Sequence, residues 1–180
     1  MKKIKGSLVK SCVIPARANK TGIYQKILTE QGKDLLKQRI FDSIWYSHDA
    51  YKELFNAVCK VEANNNKKII IEWGKKFGEI TMTSIYRGSI VEGSIEKALN
   101  KYARFHKMVY TIGTIKYEIL SENHIIIAYA DFDPEWENFY YLALGWLKKY
   151  LELCVGKQIS HKIIKKSWEG AKDTTYEFTW

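Results

Sequence analysis

Apolar residues recur at helical spacing through most of the first 110 positions and at strand spacing after them. Lys5 to Ile14 alternates weakly and stops at Pro15, which predicts an N-terminal strand or extended segment. Ile23, Ile27 and Leu28 predict a helix over Thr21 to Gln31, closed by Gly32. Asp34 then caps a second short helix carrying Leu35, Leu36 and Ile40. An aromatic elbow, Ser43 to Ser47, leads to a helix with Ser47 as N-cap and Asp49 in its first turn. Tyr51, Leu54, Phe55, Val58 and Cys59 share one face of it, to about Glu62. Asn64-Asn65-Asn66 is a local break. Lys67 to about Tyr86 reads as a long helix with Ile70, Trp73, Phe77, Ile80 and Ser84 on one stripe. Gly74 and Gly78 lie on the neighbouring stripe, each costing about 1 kcal/mol relative to Ala. Close approach of another helix or of a ligand would offset them; a tolerated kink is the alternative. Ser94 starts a helix from Ile95 to about Met108, with Ala98, Leu99, Tyr102, Phe105 and Val109 on its stripe and His106 beside it.

The period then changes to two. Gly113 to Ser121 and His124 to Asp131 read as a hairpin turning at Glu122-Asn123. Asp133 as N-cap and Pro134 as first helical residue open a long helix that ends at Gly156. It is apolar on two stripes, one through Trp136, Tyr140, Leu144, Leu147 and Leu151, the other through Phe139, Leu142, Trp146, Tyr150 and Leu153. Lys157 to Ser167 and Thr174 to Trp180 read as a second hairpin. The predicted class is α+β: N-terminal helices followed by a β-hairpin, long helix, β-hairpin unit that forms a four-stranded antiparallel sheet. The second stripe of the long helix needs cover from the N-terminal helices or from a second subunit.

At 180 residues the chain predicts one domain over 1–180, with a helical half at about 15–110 and a sheet-plus-helix half at about 111–180. The 14% aromatic content favours buried clusters, a pocket or an interface. The net charge of +9 comes from lysines spread along the chain, with no recognition motif, so no specific nucleic acid is expected. Three cysteines outside CxxC spacing imply neither a disulfide framework nor a thiolate zinc site, and a cytoplasmic location is the simplest expectation. No stretch reaches the roughly 18 apolar residues of a transmembrane segment.

The sharpest chemical feature is Asp131-Phe132-Asp133-Pro134-Glu135 after an apolar strand. It has the form of an Asp-x-Asp phosphotransfer site, but no second acidic cluster follows, and capping explains the same residue types. His48-Asp49 fits a helix start, with no nucleophile placed for a triad. His106 sits among aromatic residues as a candidate metal or haem ligand, or as a buried structural histidine. A pocket between the helices and the sheet would be lined by Trp73, Phe77, Tyr102 and Phe105, with His106 at its edge.

The Trp45-Tyr46 elbow, the Tyr86-Arg87 end of the long helix, and the closing Trp168-Glu169-Gly170 and Tyr176 to Trp180 resemble a known superfamily. It contains the haem–nitric-oxide-binding domains, the vinyl-reductase-like domains and subunits of a Golgi tethering complex; bacterial vinyl-reductase-like proteins look most similar. The resemblance implies a ligand-binding or signalling domain. The haem-binding members hold haem with a proximal His and clamp its propionates with Tyr-x-Ser-x-Arg. Here the clamp position reads Tyr129-Ala130-Asp131-Phe132-Asp133, with two carboxylates in place of Ser and Arg. Vinyl-reductase-like domains often carry a Cys pair near the last hairpin, and no Cys follows Cys154. Some tethering subunits bury an acylated Cys; Cys59 is the comparable residue. The expected function is a non-catalytic sensory or ligand-binding domain, homodimeric, that binds a small hydrophobic molecule. The alternatives are an interaction or scaffold module with a filled core, a haem-based gas sensor, and a metal-dependent phosphohydrolase.

Overall fold

The computed structural model describes residues 2–84, 88, 90 and 93–180. It divides into two compact units, the first comprising Met1–Asn66 with Met108–Ile112, the second Lys67–Lys107 with Gly113–Trp180. The Tyr86-Arg87 pair of the family pattern lies outside the described residues.

The first unit opens with β1 (Lys3–Lys5), followed by α1 (Gly6–Ala18). The extended segment expected over Lys5 to Ile14 is therefore mostly helix. Leu8, Val9, Cys12, Val13 and Ala16 are its buried side chains, a spacing of i, i+4 and i+8 that outweighs the weak alternation. Pro15 sits inside the helix near its C-terminal end, where its missing N–H removes one i→i−4 bond and only one turn follows it. The next segment is two helices, α2 (Ile23–Ile27) and α3 (Glu30–Lys37). Gly32 is not a stop but is buried within α3, because a Cβ there would meet the Glu53 carboxylate at 2.9 Å. That carboxylate accepts bonds from the Thr29 backbone N–H and, at 2.8 Å, from the Thr29 hydroxyl. The elbow forms β2 (Trp45–Ser47), antiparallel to β1 with Ile4 opposite Tyr46. Ser47 caps α4 (His48–Ala63) as expected, accepting from Ala50 N–H. Asn64 and Asn65 end α4 in left-handed conformation, which Asn tolerates.

In the second unit, α5 (Lys67–Thr83) and α6 (Ile95–Val109, its last two residues belonging to the first unit) precede the hairpin β3 (Thr114–Ser121) and β4 (His124–Ala130). Then come α7 (Glu137–Val155), β5 (Ser160–Lys165), a 3-10 turn at Ser167–Glu169, and β6 (Thr174–Thr179). The sheet is four-stranded and antiparallel in the order β3-β4-β6-β5, so the α+β class is observed. Ile127 and Tyr176 are paired on the face that carries Ile125, Tyr129 and Phe178, all five essentially sealed from solvent. Tyr176 reaches from this face to α7, donating to the Tyr140 carbonyl at 2.7 Å.

Two details differ from expectation. Asp133 does not cap α7; Trp136 is the capping position, and Pro134-Glu135 form a turn before it. Asp133 closes that turn instead, its carboxylate accepting from Glu135 N–H at 3.2 Å and its carbonyl from the Tyr140 hydroxyl at 2.8 Å. The buried face of α5 is also rotated. It runs through Ile70, Gly74, Gly78 and Thr81, whereas Trp73 and Phe77 are half-buried and Ile80 is exposed. The cause is α7: Gly145 opposes the Ile71 carbonyl, Gly74 the Leu142 carbonyl and Gly78 the Trp146 carbonyl, so the two backbones touch. The first stripe of α7 is buried, and of the second Phe139, Trp146 and Tyr150 are buried while Leu142 and Leu153 stay half-buried.

Candidate functional site

The residues singled out by the sequence centre on α6. Its buried face carries Ala98, Leu99, Tyr102, His106 and Val109, so His106 lies on the stripe rather than beside it. Phe105, half-buried, stacks on Trp146 of α7 with ring centroids 5.4 Å apart and planes 7° apart. Tyr102 packs on Trp146 at 5.3 Å and on Tyr150 at 6.0 Å, and Tyr150 donates to the Ala98 carbonyl at 2.9 Å. The Tyr102 hydroxyl is hydrogen-bonded to the Tyr129 hydroxyl of β4. His106 is 2% exposed; its ring meets the edge of Tyr129 at 5.6 Å and of Phe132 at 5.5 Å. Phe132 continues the cluster to Phe139 at 4.7 Å.

The geometry thus brings Tyr102, Phe105 and His106 into one aromatic block with Tyr129, Phe132, Trp146 and Tyr150. Trp73 and Phe77 are on α5, and among the described residues neither stacks on a ring of this block. Trp146 and Tyr150 were legible only as members of the second stripe of α7, and Phe132 only as the middle of Asp-x-Asp. Close approach of a helix at Gly74 and Gly78 was one reading of the sequence; that the helix is α7, meeting them through Gly145 beside Trp146, comes from the structure.

Burial pushes the Tyr129 phenol well above its ordinary range, reinforced by the charge and hydrogen bond of Tyr102. Burial likewise raises Tyr150 and Tyr140. Such phenols stay protonated and donate hydrogen bonds; they are not bases. The Asp-x-Asp corner has no catalytic geometry either. Asp131 is exposed in a left-handed conformation with φ 55°, and Asp133 is engaged in its turn. Among the described residues no group of three or more His, Cys, Asp or Glu could hold a metal ion. His48 Nδ1 lies 3.2 Å from Asp49, which is 79% exposed. Cys59 is buried on α4, and burial pushes the Cys12 thiol up to about 11, so neither resembles an activated nucleophile.

A haem does not fit these residues. An axial histidine needs one ring nitrogen facing open space for the macrocycle, whereas two aromatic rings close against His106. The Tyr of the clamp pattern, Tyr129, spends its hydroxyl on Tyr102 within the core. The other clamp positions, Asp131 and Asp133, are carboxylates that repel propionates, where the haem-binding pattern supplies a hydroxyl and a guanidinium.

No family model matches the sequence, and no curated protein matches it. Solved structures do. An H-NOX variant from T. tengcongensis superimposes with a TM-score of 0.62 at 16% identity, covering 98% of this chain and 97% of that one. An oxygen-binding H-NOX domain related to soluble guanylate cyclases gives 0.63 at 15% identity, covering 98% and 94%. An H-NOX protein from S. oneidensis, solved in the Fe(II)NO ligation state, gives 0.58 at 12% identity, covering 97% and 98%. The likeness spans nearly the whole of both chains, and the chain has the fold of the H-NOX domains.

Proposed function

We propose that this chain is a non-catalytic sensory or ligand-binding domain that uses the H-NOX fold without haem. The observation that carries the reading is the enclosure of His106 between Tyr129 and Phe132, beside carboxylates where a propionate clamp would stand. The ligand is a small hydrophobic molecule, held against the half-buried rings Trp73, Phe77 and Phe105 with Tyr102 and His106 behind. The signal leaves through a dimer or partner interface.

Two measurements test this. Purified protein mixed with haem should show no sharp Soret band beyond that of free haem, and His106→Ala should leave that spectrum unchanged. A Soret band abolished by His106→Ala overturns the haem-free reading. Denaturing mass spectrometry of the purified protein should release a hydrophobic molecule that quenches tryptophan fluorescence when added back. A ligand-free protein whose fluorescence no hydrophobic probe alters overturns the ligand reading. It would favour the second one, an interaction module, which the continuous stacking of Phe105, Trp146 and Tyr150 supports. Native mass spectrometry tests the dimer.

A further inference from the structure

The first unit carries a cleft of about 280 Å³ walled by the end of α1, α2 and α3. Its lining contains three cations, Arg17, Lys20 and Lys37, and no carboxylate. Arg17 is fixed rather than neutralised: Nε donates to the Leu36 carbonyl at 2.7 Å and Nη2 to the Gln38 carbonyl at 2.6 Å. Two of its five N–H groups are thus used, on neutral acceptors, and the planar fork is held in place with three remaining. Lys20 donates to the Arg17 carbonyl at 2.9 Å, again a neutral partner. Lys37 faces Asp34 at 3.5 Å with both side chains more than 60% exposed, a pairing that solvent screens. The carboxylate nearest in the network, Glu62, is outside the lining. It accepts from Asn19 Nδ2 at 3.0 Å and from the Tyr24 hydroxyl at 2.9 Å. Asn19 and Gln25 add polar groups, and Leu36 is buried beneath the cleft.

We propose that this cleft binds a small phosphate-bearing molecule. A pinned guanidinium with uncompensated charge, flanked by two lysines, matches the tetrahedral oxygens of a phosphate dianion. The volume sits at the small end of ligand pockets, roughly 300–1,000 Å³, which favours inorganic phosphate or a short phosphomonoester over a dinucleotide. This site is separate from the aromatic block of the second unit, so either proposal can fail without the other.

The test is an amide NMR titration of the full chain at constant ionic strength, with inorganic phosphate, glycerol phosphate and potassium chloride as separate titrants. Both phosphates should give saturable shifts confined to residues 16–25 and 36–38, and chloride should give none. Tighter binding of glycerol phosphate identifies a phosphomonoester site; equal affinity identifies a phosphate site. Lys20→Gln with Lys37→Gln should weaken binding at least about tenfold, since a hydrogen bond to a charged group is worth that much. The Lys20→Arg, Lys37→Arg pair should retain it. Shifts that do not saturate, that chloride reproduces, that fall outside these segments, or that survive the Gln pair would each overturn the proposal. The wild-type map decides even where a variant is unstable.

Discussion

Replacing Gly74 or Gly145 with alanine should destabilise the second unit by about 2 kcal/mol, against the usual preference of helices for alanine. The gain from propensity is about 1 kcal/mol. The loss is larger because of what the new methyl meets. At Gly74 it runs into the Leu142 carbonyl and lies 2.9 Å from Trp146 N; at Gly145 it runs into the Ile71 carbonyl and lies 3.0 Å from Lys75 N. These neighbours are helix backbone, so no rotamer change relieves the collision and α5 must move away from α7. Overpacking of this kind costs about 1–3 kcal/mol, and an immovable neighbour takes it to the upper end. Three minus one leaves about 2 kcal/mol, a fall of about 4–8 °C in Tm for a chain of this length. Gly78 is the internal control. Its methyl would lie 3.1 Å from the Trp146 carbonyl oxygen and 3.4 Å from its Cα, a contact that small adjustments accommodate. Gly78→Ala should fall within about 1 kcal/mol of wild type. Thermal unfolding followed by tryptophan fluorescence is the assay, since of the six tryptophans only Trp45 lies in the first unit. Variants at 74 and 145 as stable as wild type, or a Gly78 variant worse than both, would refute a backbone-to-backbone contact between α5 and α7.

Tyr176→Phe should lower stability by about 1 kcal/mol in urea denaturation, because it removes the donor to the Tyr140 carbonyl in a buried layer. Cys12 should resist iodoacetamide in the native protein at pH 8 and react once denatured, as its thiol is pushed up to about 11 by burial. Rapid native labelling of that residue would show that α1 opens readily. His161 should titrate below the ordinary histidine value near 6.5, because partial burial, then Lys148 and Lys75, disfavour its charged form against the weaker pull of Glu152. A depressed histidine contributes stability that is present above its unfolded value near 6.5 and lost as pH falls from there through its lower folded value, so His161→Gln should reduce acid sensitivity below about pH 6.5. An NMR midpoint above 6.5 would contradict the placement of those lysines.

Much of the fold was legible because it rests on period. The hairpins, the stripe of α6, the Ser47 cap and the Gly156 stop are local signals, and each appears where its residues stand. The misreadings at Gly32, Asp133 and α5 share a cause: a residue whose local meaning was overridden by a partner outside its own pattern. Gly32 reads as a stop, but Glu53 makes it a site of close approach. Asp133 reads as an N-cap, but Tyr140 and Glu135 draw it into a turn. Trp73 and Phe77 read as the inward stripe of α5, but Gly145 lets glycines rather than aromatics face α7. The largest side chain is taken for the buried one by any pattern reading, and a glycine-mediated helix contact inverts that rule.

Packing also bears on the reading without haem. A void in a core forfeits dispersion contacts and costs stability in proportion to its size. Around α6 the packing of this chain is aromatic. Tyr129, Phe132, Trp146 and Tyr150 gather around the α6 residues Tyr102, Phe105 and His106, and their hydroxyls bond to one another or to backbone. His106 sits at the centre of that packing, so His106→Ala should cost about 3 kcal/mol in urea denaturation, through the cavity it opens beside Tyr129 and Phe132. A loss below about 1 kcal/mol would show that those rings do not close on the imidazole.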